Sequence, residues 1–239
     1  MLSITEQIKH DLLGLAREEL IPFSPTCTTE FLNDPDGVDQ HHPKWHQYGI
    51  LTHTLKCLEA LDNEVFPEIK RLNKDEFSHG YLSELIDGMS RGELLNIALL
   101  WHDLGKWRGR KKDEKGNWDF KGHEALSEQL IRELELGKRY GLSDKQQDHV
   151  ARLTGLHYIM APAMRDVMRQ GLYTSPPAEK LLNVCRKIYT DYPDYYPEIC
   201  LMVMCDTLGK GVTNHPEQRR QTEWGWETFR QGVTLVGPP

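Results

Sequence analysis

The chain has 239 residues, with 29 basic against 36 acidic side chains and a formal charge of −7. That length builds one domain with a real core, burying roughly 70–75% of its unfolded surface, so no disulfide scaffold is required. With 38% hydrophobic and 27% charged residues the composition excludes a disordered chain, and the acidic balance argues against a dedicated nucleic-acid coat protein while leaving local basic patches open.

Ser3 and Glu6 form a capping-box pattern ahead of Ile8, Leu12, Leu13 and Leu15, which predicts a helix over about 4–20. The same segment lacks a basic start, an uninterrupted apolar stretch and a small-residue cleavage site, so it does not read as a signal peptide. A loop rich in Pro, Asp and Gly follows from Ile21 to about Gln47. Helical spacing resumes over 48–62, 80–89 and 92–104. The polar stretch KWRGRKKDEKGNWD (Lys106–Asp119) reads as an exposed loop between helices. Further helices are expected over 123–136, 143–157, 178–191, 194–209 and 216–231.

Strand-like alternation is almost absent, and no Asn-Gly or Asp-Gly turn separates two strand-like runs, so the expected fold is all-α and multi-helical. The expected division is an N-terminal helix and loop over 1–42, a main domain over 43–211, and a C-terminal helix packing on it over 212–239. The longest apolar runs, Ile97–Trp101 and Ile199–Cys205, fall far short of a ~20-residue membrane span. The five cysteines (Cys27, Cys57, Cys185, Cys200, Cys205) are scattered with no CxxC pair. They read as free, mostly buried thiols in a reducing, cytoplasmic protein.

Three places combine apolar helical patterning with residues a core does not want. These are His53 in YGILTHTLKCLEAL, the pair His102–Asp103 closing LLNIALLWHDLGK, and Asp206 directly after ICLMVMC. A carboxylate at the end of an apolar helix requires a counter-charge, and a metal ion satisfies both aspartates at once. Two imidazoles and two carboxylates form a donor set suited to Mn, Fe, Co, Ni or Zn. Adjacent helical side chains diverge by ~100°, so His102 and Asp103 converge on one ion only near a helix end, which Gly105 would supply.

These residues resemble the HD superfamily of metal-dependent phosphohydrolases, in which a His, a His-Asp pair and a distant Asp are set on an all-helical scaffold. The closer resemblance is to the HD domain that follows the catalytic head of bacterial CCA-adding enzymes (tRNA nucleotidyltransferases). The matching segments are PKWHQYGILTHTL (Pro43–Leu55), HDLGK (His102–Lys106), GHE (Gly122–Glu124), LTGLHY (Leu153–Tyr158) and CDTLGKG (Cys205–Gly211). The resemblance implies metal ligation by His53, His102, Asp103 and Asp206, with Asp103 also serving as a base toward water. It implies a divalent transition metal, with Mg tolerated, as one ion with room for a second.

Lys106, one turn beyond the pair, suits a phosphate oxygen or, blandly, the negative end of its helix. His123 opens a helix after Gly122, where free amides favour an anion, and resembles the family's substrate-side histidine. His157 is a further candidate for a substrate contact or second metal, with plain surface the preferred alternative. His46 matches the family's Trp-His opening and would line the site, whereas His41 and His42 are expected to do nothing in a polar loop. Lys106, Arg108, Arg110, Lys111 and Lys112 are read either as a phosphate-attracting lip with Trp107 stacking a base or, preferably, as a solvated loop.

No nucleotidyltransferase head with a DxD metal pair is present, so CCA addition is not expected, nor is a ppGpp-hydrolase or HD-GYP signature found. The expected function is hydrolysis of a small phosphoester, a nucleotide first among them, by phosphomonoesterase or 2′,3′-cyclic phosphodiesterase chemistry. The alternatives are a non-catalytic HD module binding a nucleotide or protein around a structural metal, and a subunit processing RNA ends. No membrane partner is expected, and no nucleic acid beyond RNA ends.

Overall fold

The structure, a computed structural model, describes residues 2–42, 45–71, 80–163, 166 and 179–211. Helix α1 (Ile4–Leu15) begins where Ser3 accepts from the Glu6 N–H, and it runs on through a wide turn (Ala16–Leu20) and a tight one (Ile21–Phe23). Within the stretch expected to be loop, a short α2 (Thr29–Asn33) forms because Thr28 caps it through the Phe31 N–H. Helix α3 (Ile50–Ala60) continues through a wide turn into α4 (Phe66–Arg71). Gly49 offers α3 no cap, so Asp36 from the preceding loop supplies one, accepting from the Thr52 N–H at 2.8 Å and from the Thr52 hydroxyl.

The helix expected over 80–89 is replaced in part by a hairpin, β1 (Leu85–Ile86) against β2 (Met89–Ser90). Its turn is Asp87-Gly88 with φ of 48° and 89°, the two positive values that a tight hairpin turn demands. That dipeptide was readable as a turn; the two-residue strands around it are too short to show alternation. Gln146 holds the hairpin down by donating to the Ile86 carbonyl at 2.9 Å.

Helix α5 (Arg91–Trp101) starts in a complete capping box of Ser90 and Glu93. It is followed by α6 (Leu104–Gly109), and then by a second hairpin of β3 (Lys111–Lys112) and β4 (Trp118–Asp119). The expected exposed loop over 106–119 is therefore part helix and part hairpin. Helices α7 (His123–Glu133), α8 (Leu136–Arg139), α9 (Asp144–Leu156), α10 (Glu179–Asp191) and α11 (Tyr196–Gly209) complete the described chain. Among the described residues the fold is all-α apart from two small hairpins. The helix expected over 216–231, with Trp224 and Trp226, lies outside the described residues.

Two helices form the centre because they are apolar on every side. On α5 every residue from Leu94 to Trp101 except Asn96 is buried, and α11 is buried along nearly its whole length. The buried Glu198 of α11 is satisfied by His149 at 2.8 Å, the Tyr81 hydroxyl at 2.8 Å and Arg91 at 3.2 Å, which ties α11 to α9 and α5.

The α3–α11 contact is closest at Gly209, where a Cβ would overlap the Cys57 sulfur and sit 2.8 Å from the Cys57 nitrogen. Gly105 does not end a helix, as its position suggested. It lies inside α6, where a Cβ would overlap the His123 carbonyl of α7, so it is there for close approach. Both glycines press a site-bearing helix against its neighbour.

Gly209→Ala is expected to lower stability by about 1–3 kcal/mol through overpacking. Gly14→Ala on α1, whose added Cβ meets nothing within 4 Å, should raise stability by about 0.5–1 kcal/mol. Urea denaturation of both variants checks this; equal effects would show that the α3–α11 approach is not tight.

Candidate metal centre

Asp103 follows the C-terminal end of α5 and Asp206 lies in the last turn of α11, and that is where the site forms. Helix α5 stops at Trp101; His102 caps it, and Asp103 takes φ −106°, ψ 11° before α6 begins. This break lets His102 and Asp103 point the same way. An aspartate at the start of a helix ordinarily caps it, yet the Asp103 side chain makes no cap bond. Ser127 of α7 takes that task, its oxygen accepting from the Gly105 N–H at 2.8 Å and its hydroxyl donating to the His102 carbonyl at 2.8 Å. The Asp103 carboxylate is thereby left for other partners.

The sequence candidates His53, His102, Asp103 and Asp206 are brought together. His53 Nε2 is 3.1 Å from Asp206 Oδ1 and 3.3 Å from Asp103 Oδ2, and His102 Nε2 is 3.3 Å from the same Asp103 oxygen. His123 Nε2 approaches the other Asp103 oxygen at 3.3 Å and faces His157 Nε2 at 3.2 Å. His157, preferred as plain surface, is instead 2% exposed, because α9 packs on both α5 and α7 and its C-terminal turn points inward.

The histidines share one hydrogen-bond plan. Nδ1 of His102, His123 and His157 lies 2.6, 2.8 and 2.7 Å from the carbonyls of Leu99, Phe120 and Thr154. A carbonyl only accepts, so each Nδ1 carries the hydrogen and each Nε2 turns a lone pair into the cluster unless a second proton is bound. Outer partners orient metal-binding histidines in this way.

The donor atoms fall into two compact sets sharing His102, one of His53, Cys57, His102 and Asp206, the other of His102, Asp103 and His157. Within each set, one atom per residue lies within 4.8 Å of every other. His102 Nε2 and both Asp103 oxygens are buried and receive no hydrogen bond of good geometry. Lys106 answers part of the Asp103 charge, and the converging imidazole nitrogens and carboxylate oxygens form a donor set that fits a divalent metal.

Cations of the chain itself stand beside the carboxylates. Lys106 Nζ is 2.7 Å from Asp103 Oδ2, and Lys210 Nζ is 2.8 Å from Asp206 Oδ2. Burial works to raise Asp103, but His102 and Lys106 outweigh it and hold its carboxyl well below the usual range. Asp206 is likewise held low against burial, by Lys210 and His53. Burial opposes a charge on His102, yet Asp103 beside it raises the imidazole to about 10. Burial, with His102 and His123 adding to it, takes His157 down to about 3, so it is a neutral donor.

Residues that sequence reasoning set aside also line the cluster. His41 is fully buried, its ring 3.6 Å from that of His46 and its Nε2 3.2 Å from Lys106 Nζ. His46, an expected lining residue, is buried with its ring 4.7 Å from that of His53. The His42 ring lies 6.3 Å from that of Trp45. Cys57 and Lys210 carry sequence marks of their own, a His-x3-Cys spacing on α3 and an Asp-x3-Lys spacing that closes α11.

The basic lip does not form as one surface. Trp107 is buried and donates to the Pro35 carbonyl at 3.1 Å, so it is not free to stack a base. Arg108, expected on substrate, donates to the Glu19 carbonyl at 3.2 Å and covers the Phe23 ring. Arg110 is buried between the Phe31 and Trp118 rings and bonded to Gln40. Lys111 pairs with Asp119, and Lys112 covers Trp118. Only Lys106 of the five reaches the cluster.

Among the described residues no helix is long and apolar enough to cross a membrane. No protein-family model matches the chain. It is similar to curated proteins named bifunctional uridylyltransferase/uridylyl-removing enzyme. The Pseudomonas aeruginosa (strain LESB58) protein is 34% identical over 80 residues, which is 33% of this chain and 8% of the relative. That of Thiobacillus denitrificans (strain ATCC 25259 / T1) is 25% identical over 149 residues, 54% of this chain and 16% of the relative. That of Neisseria gonorrhoeae (strain NCCP11945) is 30% identical over 90 residues, 35% of this chain and 11% of the relative. The chain thus spans between 8% and 16% of the length of these relatives, whose name is not that of the CCA-adding enzymes.

Proposed function

We propose that the chain is a metal-dependent phosphohydrolase acting on a small phosphoester, with a nucleotide or nucleotidyl ester as the substrate class. What carries the proposal is the Asp103 carboxylate, buried without a good hydrogen bond, with His53 and His102 at one oxygen and His123 at the other. The relatives' uridylyl-removing name supports it, since a uridylyl group leaves by cleavage of a phosphoester. His53, His102, Asp103 and Asp206 would hold a first divalent ion, and Asp103, His123 and His157 a second. Such ions supply Lewis acidity toward a phosphoryl oxygen and a water nucleophile near neutral pH.

The chain's own groups do the rest. Asp103, held ionised, accepts a hydrogen bond from the attacking water and orients it. Lys106 and Lys210 exchange part of their pairing with Asp103 and Asp206 for phosphoryl oxygens and stabilise charge that builds there. Neutral His41 and His46, kept uncharged by burial and by Lys106, complete that wall. His123 and His157, their Nδ1 hydrogens fixed on backbone carbonyls, keep Nε2 aimed inward. A second reading, a non-catalytic HD module around a structural metal, predicts nucleotide-dependent thermal stabilisation without product.

The test is metal analysis of the purified chain, then assays with a generic phosphoester, nucleoside monophosphates and 2′,3′-cyclic nucleotides in Mn, Co, Ni and Mg. Turnover is expected only with metal, falling on the order of 10²–10⁴-fold in Asp103→Asn. No turnover with any metal, or turnover undiminished in the variant, overturns the hydrolase.

Metal binding must expel the proton that His102 holds in the ion-free protein. Its raised value of about 10 places that competition above neutrality. Apparent metal affinity should therefore rise with pH from 7 toward 9, about tenfold per unit for each proton displaced. Calorimetry in buffers of different ionisation enthalpy should count at least one proton released at neutral pH.

Ser127→Ala returns the Gly105 N–H to Asp103 as a capping partner. It should weaken metal binding on the order of 10–100-fold, as loss of an outer partner does. Direct titration measures this, and unchanged affinity would show that Ser127 does not free Asp103.

A further inference from the structure

Helix α3 places Cys57 one turn beyond His53 on the same face, the i, i+4 spacing at which two side chains can reach one ion. The sulfur lies 3.6 Å from His53 Nε2 and is fully buried. Gly209 of α11 is what leaves space for it, since a Cβ there would overlap the sulfur. A thiol that served only to fill the core would face apolar neighbours. This one faces two imidazoles and a carboxylate.

The distances can be compared with what an ion needs. Metal–nitrogen and metal–oxygen bonds of about 2.0–2.1 Å and a metal–sulfur bond of about 2.3 Å put tetrahedral donors roughly 3.3–3.5 Å apart. Here His53 Nε2 is 3.1 Å from Asp206 Oδ1 and 3.6 Å from the Cys57 sulfur, while His102 Nε2 is 4.0 Å from Asp206 Oδ1. The sulfur is also 3.7 Å from His53 Nδ1, at the ring edge, so the set closes on an ion when the Cys57 or His53 side chain rotates to bring the sulfur in front of Nε2, the donor atoms already lying within 4.8 Å of one another. His102 Nε2, buried and without a hydrogen-bond partner, is an independent sign that this side of the cluster awaits a ligand-accepting ion.

We propose that Cys57 is a metal ligand, joining His53, His102 and Asp206 around one ion and setting that position's preference for zinc, cobalt or iron over magnesium and manganese. It rests on the metal centre proposed above. On binding, the Cys57 S–H proton leaves to solvent and the sulfur forms the bond to the ion, with no change in oxidation state. A thiolate is a soft donor that suits zinc and its neighbours and is a poor partner for the hard, oxygen-seeking ions, so the metal choice follows from its presence. Asp103, whose Oδ2 lies 3.3 Å from His53 and His102 and whose Oδ1 lies 3.3 Å from His123, stays between this position and a second one at His123 and His157.

The test is a cobalt(II) titration of the full chain after chelation, followed by optical absorption. Visible d–d bands report that cobalt has entered the site. A near-ultraviolet sulfur-to-cobalt charge-transfer band reports a thiolate bond. Both are expected in the unmodified chain. Cys57→Ser should keep the visible bands and lose the charge-transfer band, with zinc affinity falling on the order of 10–100-fold and manganese affinity changing less. Visible bands without the charge-transfer band in the unmodified chain, or a charge-transfer band that survives in Cys57→Ser, overturns the assignment of Cys57 and leaves the metal centre standing. Absence of both bands overturns the metal centre and Cys57 with it. Should the serine variant misfold by circular dichroism, zinc X-ray absorption on the unmodified chain decides. One sulfur at about 2.3 Å supports Cys57, and a shell of nitrogen and oxygen alone refutes it.

Discussion

Two buried carboxylates sit by the C-terminal turns of the two most apolar of the described helices, and their need for positive charge organises everything around them. Desolvating an ionised carboxylate costs several kcal/mol unless partners compensate. Asp103 and Asp206 are both buried and both held ionised. The surrounding sequence answers with Lys106 and Lys210, each one turn beyond its aspartate, and with the imidazoles of His53, His102 and His123. A protein gaining only stability would do better with apolar residues at those positions. Retaining five such groups in a core makes sense if the charges are held for an ion and for a phosphate that meets it.

The supporting shell is built so that these groups keep their direction. Ser127 relieves Asp103 of capping α6. Backbone carbonyls fix the Nδ1 hydrogens of His102, His123 and His157. Asp36 caps α3 from outside and so sets where His53 stands along that helix. Gly105 and Gly209 let α7 and α11 approach closely enough for the donors to meet. None of these residues is a candidate ligand, yet each decides where a ligand points.

The helical class and the principal cluster were legible because both leave local marks. Ser3, the apolar run ending at His102-Asp103, and the run ending at Asp206 are patterns within one turn or one helix. What was not legible depends on distant packing. The burial of His41 and His157 follows from which helices cover them, which spacing alone does not say. Gly105 resembled a helix terminator because its tight contact with the His123 carbonyl comes from another helix. The basic run from Lys106 to Lys112 carried no mark of direction, and the fold distributes it among the cluster, the Phe23 ring, Gln40 and Asp119. The Asp87-Gly88 turn was visible but its strands are two residues long.

In the proposed centre Asp103 and Asp206 share their buried pocket with a divalent cation. Anomalous diffraction from crystals of the full chain grown with manganese or zinc tests it most directly. An anomalous peak is expected at bonding distance from His53, His102 and Asp206, with Asp103 in contact with that ion or with a second beside His123 and His157. A structure grown in metal with no peak there, and with Lys106 and Lys210 alone balancing the two aspartates, would contradict it.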